Sequence, residues 1–254
     1  MCDTCGCGDS ELVPIEIQER ILSGNEKTAR HNREHFEAAG VLAINLMGSP
    51  GSGKTAVLEA TARARGELRI GAMSGDLATD RDAERLRAAG IPAVSITTGS
   101  ACHLDAELVH KALHGLADWQ DLDLLAIENV GNLVCPAVYD LGQAENVVVL
   151  SVTEGEDKPL KYPVMFRKAD LVLITKVDLL PYLPGVRLET LLENLAKVMP
   201  EPRAIRMSAL TGEGMEEWLS WLEDRHQARV VLAPIGGRRS HHHHHHHHLR
   251  HDHA

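Results

Sequence analysis

The chain has no run of eighteen or more apolar residues, so no segment is long and apolar enough to cross a bilayer as a helix. Its first residues, Met1-Cys2-Asp3-Thr4-Cys5, have neither a basic nor an apolar region, and neither a signal peptide nor a membrane partner is expected. A cytoplasmic location is the expectation. Basic residues are in deficit: 26 Lys and Arg against 36 Asp and Glu give a formal charge of −10, which argues against a general nucleic-acid binder. The five cysteines are an odd count, better read in a reducing compartment as thiols or metal ligands than as a disulfide framework. What the chain does have is 254 residues, 44% of them hydrophobic, enough to bury a full core.

The most informative stretch is Gly48-Ser49-Pro50-Gly51-Ser52-Gly53-Lys54-Thr55, which fits the phosphate-loop pattern G-x-x-x-x-G-K-[ST] at every fixed position. Its glycines let backbone N–H groups turn inward on a phosphate, Lys54 adds a charge, and Thr55 offers a hydroxyl to Mg²⁺. The apolar run Val41 to Met47 before it has strand length, and Ala56 to Arg65 after it has helix-forming composition.

Further apolar runs at Leu68 to Met73, Ala93 to Ile96, Leu122 to Ile127, Val147 to Val152, Leu171 to Ile174 and Ala204 to Met207 alternate with polar helical stretches. Short, continuously apolar runs are what strands buried on both faces look like, so the expectation is an α/β phosphate-loop NTPase fold with a mostly parallel sheet and helices on both faces. The expected division is a Cys-rich segment at 1–10, a helical segment at 11–37, the nucleotide-hydrolysing domain at 38–235 and a tail at 236–254 that does not pack. That tail carries His241 to His248 in an unbroken run, then His251 and His253. Two readings stay open: a purification tag, or a native tether whose imidazoles store Ni²⁺, Zn²⁺ or Cu²⁺.

Thr175-Lys176-Val177-Asp178 follows an apolar run, at a strand end where open α/β sheets bind ligands. It resembles the [N/T]-K-x-D element of GTPases. In that element the aspartate accepts two hydrogen bonds from a guanine edge, which adenine cannot supply, so Asp178 is the expected guanine reader and Lys176 is expected to cover the base. Ser208-Ala209-Leu210 resembles the element that supports the base through backbone N–H groups. Glu128-Asn129-Val130-Gly131 resembles a switch whose glycine senses the γ-phosphate and whose acid acts near Mg²⁺. Asp76 is a second acid able to reach that cation, or a helix cap for the segment after it.

Cys102-His103 and Cys135 sit past strand ends on the same face, and two thiolates with an imidazole suit Zn²⁺ or Ni²⁺. Three ligands leave a position for water or for a second copy across a two-fold axis. The alternative is that both cysteines are small buried residues. Cys2, Cys5 and Cys7 place three thiols within six positions on a terminus with no core around it, which reads as a separate metal site.

Together these residues resemble the hydrogenase maturation GTPases of the HypB family, through Cys2 to Cys7, Gly48 to Thr55, Ser74 to Asp76, Gly99 to His103, Glu128 to Pro136, Glu154 to Pro163 and Thr175 to Asp178. The resemblance implies a slow GTPase that dimerises with nucleotide or metal and passes nickel to a [NiFe]-hydrogenase large-subunit precursor, helped by a partner nickel metallochaperone. It implies GTP, Mg²⁺, Ni²⁺ and Zn²⁺ as ligands, and Lys54, Asp76 and Glu128 as the catalytic groups. It also implies nucleotide contacts from Gly48, Gly51, Ser52, Gly53, Thr55, Gly131, Lys158, Thr175, Lys176, Asp178, Ser208 and Ala209. Cys102, His103 and Cys135 match the family's domain metal site, and Cys2, Cys5 and Cys7 its terminal nickel site. The C-terminal position of the histidines departs from many relatives. A urease-type nickel GTPase is an alternative, although Cys135-Pro136-Ala137 stands where that family often has C-P-H. A small-metabolite phosphate-loop kinase, which would show acceptor-dependent turnover, and a metal-storage protein are the others.

Overall fold

Seven apolar segments form strands: β1 (Leu42–Met47), β2 (Ile70–Asp76), β3 (Ala93–Thr97), β4 (Leu124–Glu128), β5 (Glu145–Ser151), β6 (Leu171–Thr175) and β7 (Ala204–Arg206). The computed structural model describes residues 15–77, 79–99 and 101–232, with side chains from Leu22 to Arg229 among them. The expected terminal thiols Cys2, Cys5 and Cys7 and the His-rich tail lie outside the described residues. The strands make one sheet in the order β3-β2-β4-β1-β5-β6-β7, every pair parallel.

Alternation along β1 explains why the expected runs are continuously apolar. Leu42, Ile44 and Leu46 face one side, packing with Val57 and Leu58 of α2 (Lys54–Ala64), Leu86 of α3 (Arg81–Ala88) and Trp218 and Leu222 of α8 (Met215–Leu232). Ala43 faces the other side, over Phe36 of α1 (Ile15–Ala39) and Val109 and Leu113 of α4 (Ala106–Leu113). Met47 joins a neighbouring cluster on that side with Met165 and Phe166 of α6 (Pro163–Arg167) and Leu191 and Leu195 of α7 (Leu188–Val198). The short α5 (Lys158–Lys161) precedes α6. No helix among the described residues is long and apolar enough to span a membrane.

Strand ends differ from the apolar runs for local reasons. Leu68 is drawn into a turn by its N–H donating to Arg65 O at 3.1 Å, and β2 starts at Ile70. A 3₁₀ turn at Trp119–Asp121, closed by Leu122 N–H on Trp119 O, delays β4 to Leu124. β5 ends at Ser151, whose hydroxyl accepts from Thr153 N–H while Glu154 accepts from Ser151 N–H, a reciprocal cap. Helix α1 runs through the boundary expected between 37 and 38, and its buried Phe36 packs into the sheet core. It stops at Gly40, in the left-handed conformation at φ 70°.

Candidate nucleotide and metal site

The phosphate loop leaves the C-terminal end of β1, the central strand, and turns directly into α2. Gly48 must be glycine, because a Cβ there would lie 2.3 Å from Val149 O. The buried Lys54 folds back over the loop and donates to Ser49 O at 3.2 Å and Gly48 O at 3.4 Å. Next to it the Thr55 hydroxyl lies 2.8 Å from Glu128 Oε1, at the end of β4, and 3.1 Å from Asp82 Oδ1, in the first turn of α3. A cavity of about 410 Å³ opens here, bordered by the loop and by Asp76, Asp82, Arg85, Glu128 and Gly131.

Burial sets the electrostatics. Glu128 is 3% exposed, and desolvation pushes its carboxyl up to about 7 against the opposing pull of the Lys54 ammonium. Desolvation likewise lowers Lys54, with Glu128 opposing. Glu128 Oε2 is buried and has no hydrogen-bond partner, as has Ser52 Oγ. Both are oxygen atoms at the loop that a ligand can satisfy.

Asp76 ends β2 and accepts from the Thr79 N–H at 3.3 Å and hydroxyl at 3.1 Å, while α3 begins only at Arg81 with Asp80 at its cap position. Asp76 therefore shapes a turn facing the cavity and does not cap the helix. Asp82, in the same cavity and bonded to Thr55, was not among the expected site residues. Its signal in the sequence was only an acid in a helix first turn, a common placement.

On the other side of the loop, Thr175 Oγ1 donates to Ser52 O at 2.6 Å and Lys176 Nζ to Gly51 O at 2.7 Å. Lys176 sits at φ 60°, and Asp178 lies in the 3₁₀ turn Val177–Tyr182 that follows. The backbone of Ser208 and Ala209 comes alongside through Val177 N–H on Met207 O, and the buried Ser208 hydroxyl accepts from Leu210 and Thr211 N–H. Asp178, Ser208, Ala209 and Lys158 do not border the 410 Å³ cavity. Lys158 opens α5, with its ammonium 4.0 Å from Glu154 Oε2 and 5.3 Å from the Tyr162 ring centre.

Past β4 the chain carries both the switch candidate and a thiol. A Cβ on Gly131 would lie 2.8 Å from both N and Cγ of Pro50, so the segment touches the phosphate loop backbone to backbone. Asn132 pairs with Gly48 in an isolated bridge, and its side-chain amide donates to Cys102 O at 3.3 Å. Asn129 Oδ1 accepts from Leu104 N–H at 3.2 Å, and its amide donates to Asn45 Oδ1 of β1 at 3.1 Å. Cys135 then lies 3.0 Å, sulfur to sulfur, from Cys102, and Cys102 Sγ is 3.8 Å from His103 Nδ1. One ligand atom from each of Cys102, His103 and Cys135 falls within 4.8 Å of the others. Burial lowers the pKa of His103, with the Asp105 charge opposing, which favours the neutral imidazole that metals require. Tyr139 stacks on that imidazole with ring centres 3.9 Å apart, and fixes its plane. Tyr139 did not stand out in the sequence, and the two asparagines did so only as members of the Glu128 to Pro136 run, without a role of their own, since nothing but the fold brings their partners here.

Residues 42–206 match the CobW/HypB/UreG nucleotide-binding domain family. The hydrogenase maturation factor HypB of Azotobacter chroococcum mcd 1 is 50% identical over 224 residues, which cover 88% of this chain and 73% of the relative. Among solved structures, HypB from Helicobacter pylori in complex with nickel is 41% identical with a TM-score of 0.77, covering 81% of this chain and 96% of that one. HypB from Archaeoglobus fulgidus is 43% identical with a TM-score of 0.75, covering 81% of this chain and all of that one. Likeness of this extent, over both the phosphate loop and the thiol segment, establishes that the chain belongs to the HypB family of hydrogenase maturation factors.

Proposed function

We propose that this protein is a GTP-hydrolysing nickel carrier for hydrogenase maturation, in which the nucleotide state sets the grip of Cys102, His103 and Cys135 on the metal. The observation that carries the reading is the short segment from Glu128 to Cys135. It touches the phosphate loop at Gly131 and Asn132, and ends on a thiol of the metal cluster. A change at the γ-phosphate position that moves Gly131 therefore moves Cys135 relative to Cys102 and His103.

In this reading Gly48, Gly51, Ser52 and Gly53 turn backbone N–H groups toward the phosphates, and Lys54 neutralises charge on them. Asp178 accepts from the guanine edge, Lys176 lies over the base, Thr175 braces the loop, and Ser208 and Ala209 support the base from the side. Lys158 stands nearby as a further nucleotide contact. The oxygen donors Thr55, Glu128 and Asp76, together with Asp82, fit Mg²⁺, and the buried, unpartnered Glu128 Oε2 is the observation that favours it. When bound, Mg²⁺ would offset charge that develops on the transferred phosphoryl group. Glu128 or Asp76 orients the attacking water.

Nickel is cargo here, and Zn²⁺ satisfies the same soft to borderline ligands. Three ligands leave a coordination position for a second copy, which supports a nucleotide- or metal-promoted homodimer. A hydrogenase large-subunit precursor and a partner nickel metallochaperone are the proposed recipient and helper. Release of Ni²⁺ to a chelator is measured in GDP and in a non-hydrolysable GTP analogue, for the parent chain and for Cys135→Ala. Different release rates in the two nucleotides, lost in Cys135→Ala, are expected. Equal rates in the parent chain would refute the coupling.

A further inference from the structure

Away from the nucleotide site, helices α1 and α4 bring four histidines together: His31 and His35 from one, His110 from the other and His114 at its C-terminal cap. The geometry points to a second, surface site for a borderline divalent cation such as Ni²⁺, held by His31, His35 and His110, which bridges the two helices.

His31 and His35 are exposed, one helical turn apart, with their Nε2 atoms 3.0 Å from each other. Two nitrogens about 2.0–2.1 Å from one ion, at right-angled to tetrahedral openings, stand about 2.9–3.4 Å apart. The pair is therefore already at chelating separation. The third imidazole is prepared by a neighbour. Asn32 is fully buried between them, and its amide nitrogen donates to Ala106 O at 2.8 Å and Leu141 O at 3.1 Å. These two bonds fix which end of the amide is oxygen, and that Oδ1 lies 3.0 Å from His110 Nδ1. A carbonyl oxygen only accepts, so His110 Nδ1 carries the hydrogen and the lone pair of the neutral ring is on Nε2. A ring nitrogen donating to an oxygen while the other faces the ion is the usual support of a metal-binding histidine.

The His110 ring centre is 5.2 Å from that of His31 and 6.1 Å from that of His35, wider than a closed ligand set, and the exposed His31 and His35 side chains must rotate toward His110 to close it. His114, with its ring centre 5.6 Å from that of His110, can supply a fourth nitrogen. Burial, and then the charges of His31, His114 and His35, lower the His110 pKa and favour its ligating form. Neutral nitrogens alone select nickel, copper or zinc over magnesium.

The test is histidine modification by diethyl pyrocarbonate on the full chain, read residue by residue by mass spectrometry, with free Ni²⁺ held by a nickel buffer so that other sites do not deplete it. Ni²⁺ should protect His31, His35 and His110 over one concentration range, and Mg²⁺ should not. His35→Ala, at an exposed position, should raise the Ni²⁺ needed for half-protection of His31 and His110 by about ten-fold or more, the lower bound set by loss of an outer partner. Circular dichroism checks that the variant folds. Absence of protection in the parent chain would overturn the proposal and leave an imidazole pair joined by a hydrogen bond. Protection of His31 and His35 without His110 would overturn it in favour of a two-ligand site on α1 alone, and protection of His31 and His110 that persists in His35→Ala would overturn the three-histidine set.

Discussion

Replacing Glu128 with glutamine, Glu128→Gln, removes a carboxyl that burial holds at a pKa of about 7, from an ordinary value of 4.5, and its effect on the empty protein should depend on pH. Between those two values the folded chain keeps a proton that the unfolded chain has lost, so the parent loses stability as pH rises through the window. The full difference, at about 1.36 kcal/mol per pKa unit, is about 3 kcal/mol, and about 2–3 kcal/mol of it falls between pH 5 and pH 8. Glutamine keeps the Thr55 contact but carries no charge, so the variant should escape that loss. Urea unfolding of both chains at several pH values, without nucleotide and with EDTA, measures the difference; titrating groups remote from Glu128 cancel in the comparison, while Lys54, which Glu128 holds up, titrates far above this window. The variant should gain on the parent from pH 5 to about pH 7 and level off by about pH 8. A stability difference that stays constant over that range would refute the argument that desolvation governs Glu128.

Two further substitutions probe other parts of the site. Gly131→Ala places a Cβ 2.8 Å from Pro50, inside the 3.4 Å limit of ordinary contact, and an overpacking cost of about 1–3 kcal/mol should weaken nucleotide binding by about five-fold to a hundred-fold. Nickel binding by the nucleotide-free variant should survive, and equal losses of both in equilibrium titrations would mean a general collapse. Asp178→Asn removes a charged acceptor worth about 1.5–3 kcal/mol, so competition titration should find the preference for GTP over ATP reduced by about ten-fold to a hundred-fold. An unchanged preference would take guanine reading away from Asp178.

The sheet was legible because strands covered on both faces leave unbroken apolar runs, and the phosphate loop because its chemistry fixes residue types at fixed spacing. The strand ends were less so, since Leu68 and Leu122 are apolar but are held in turns by local backbone bonds. Cys102, His103 and Cys135 could be grouped from sequence as soft ligands past strand ends. The parts that hold them could not. Asn129, Asn132 and Tyr139 act across the fold on residues far away in the chain, and neither periodicity nor composition encodes such meetings. Asp82 was hidden for a related reason: helix α3 aims it at Thr55, 27 residues earlier. The histidines of α1 and α4 likewise become a group only where the two helices pack.

The central place of β1 in the sheet has a consequence for synthesis. Its neighbours are β4 and β5, so when the ribosome has made the phosphate loop neither flank of that strand exists. At about 5–20 residues per second the missing flanks follow roughly 5–20 seconds later, about a hundred residues on. β4 leads straight into Gly131 and Cys135, and β5 completes the other flank only after both have emerged. A nascent chain therefore gains both flanks of its phosphate loop strand only once the thiol segment is in hand, so on the proposed reading the pocket is completed together with the element that responds to it.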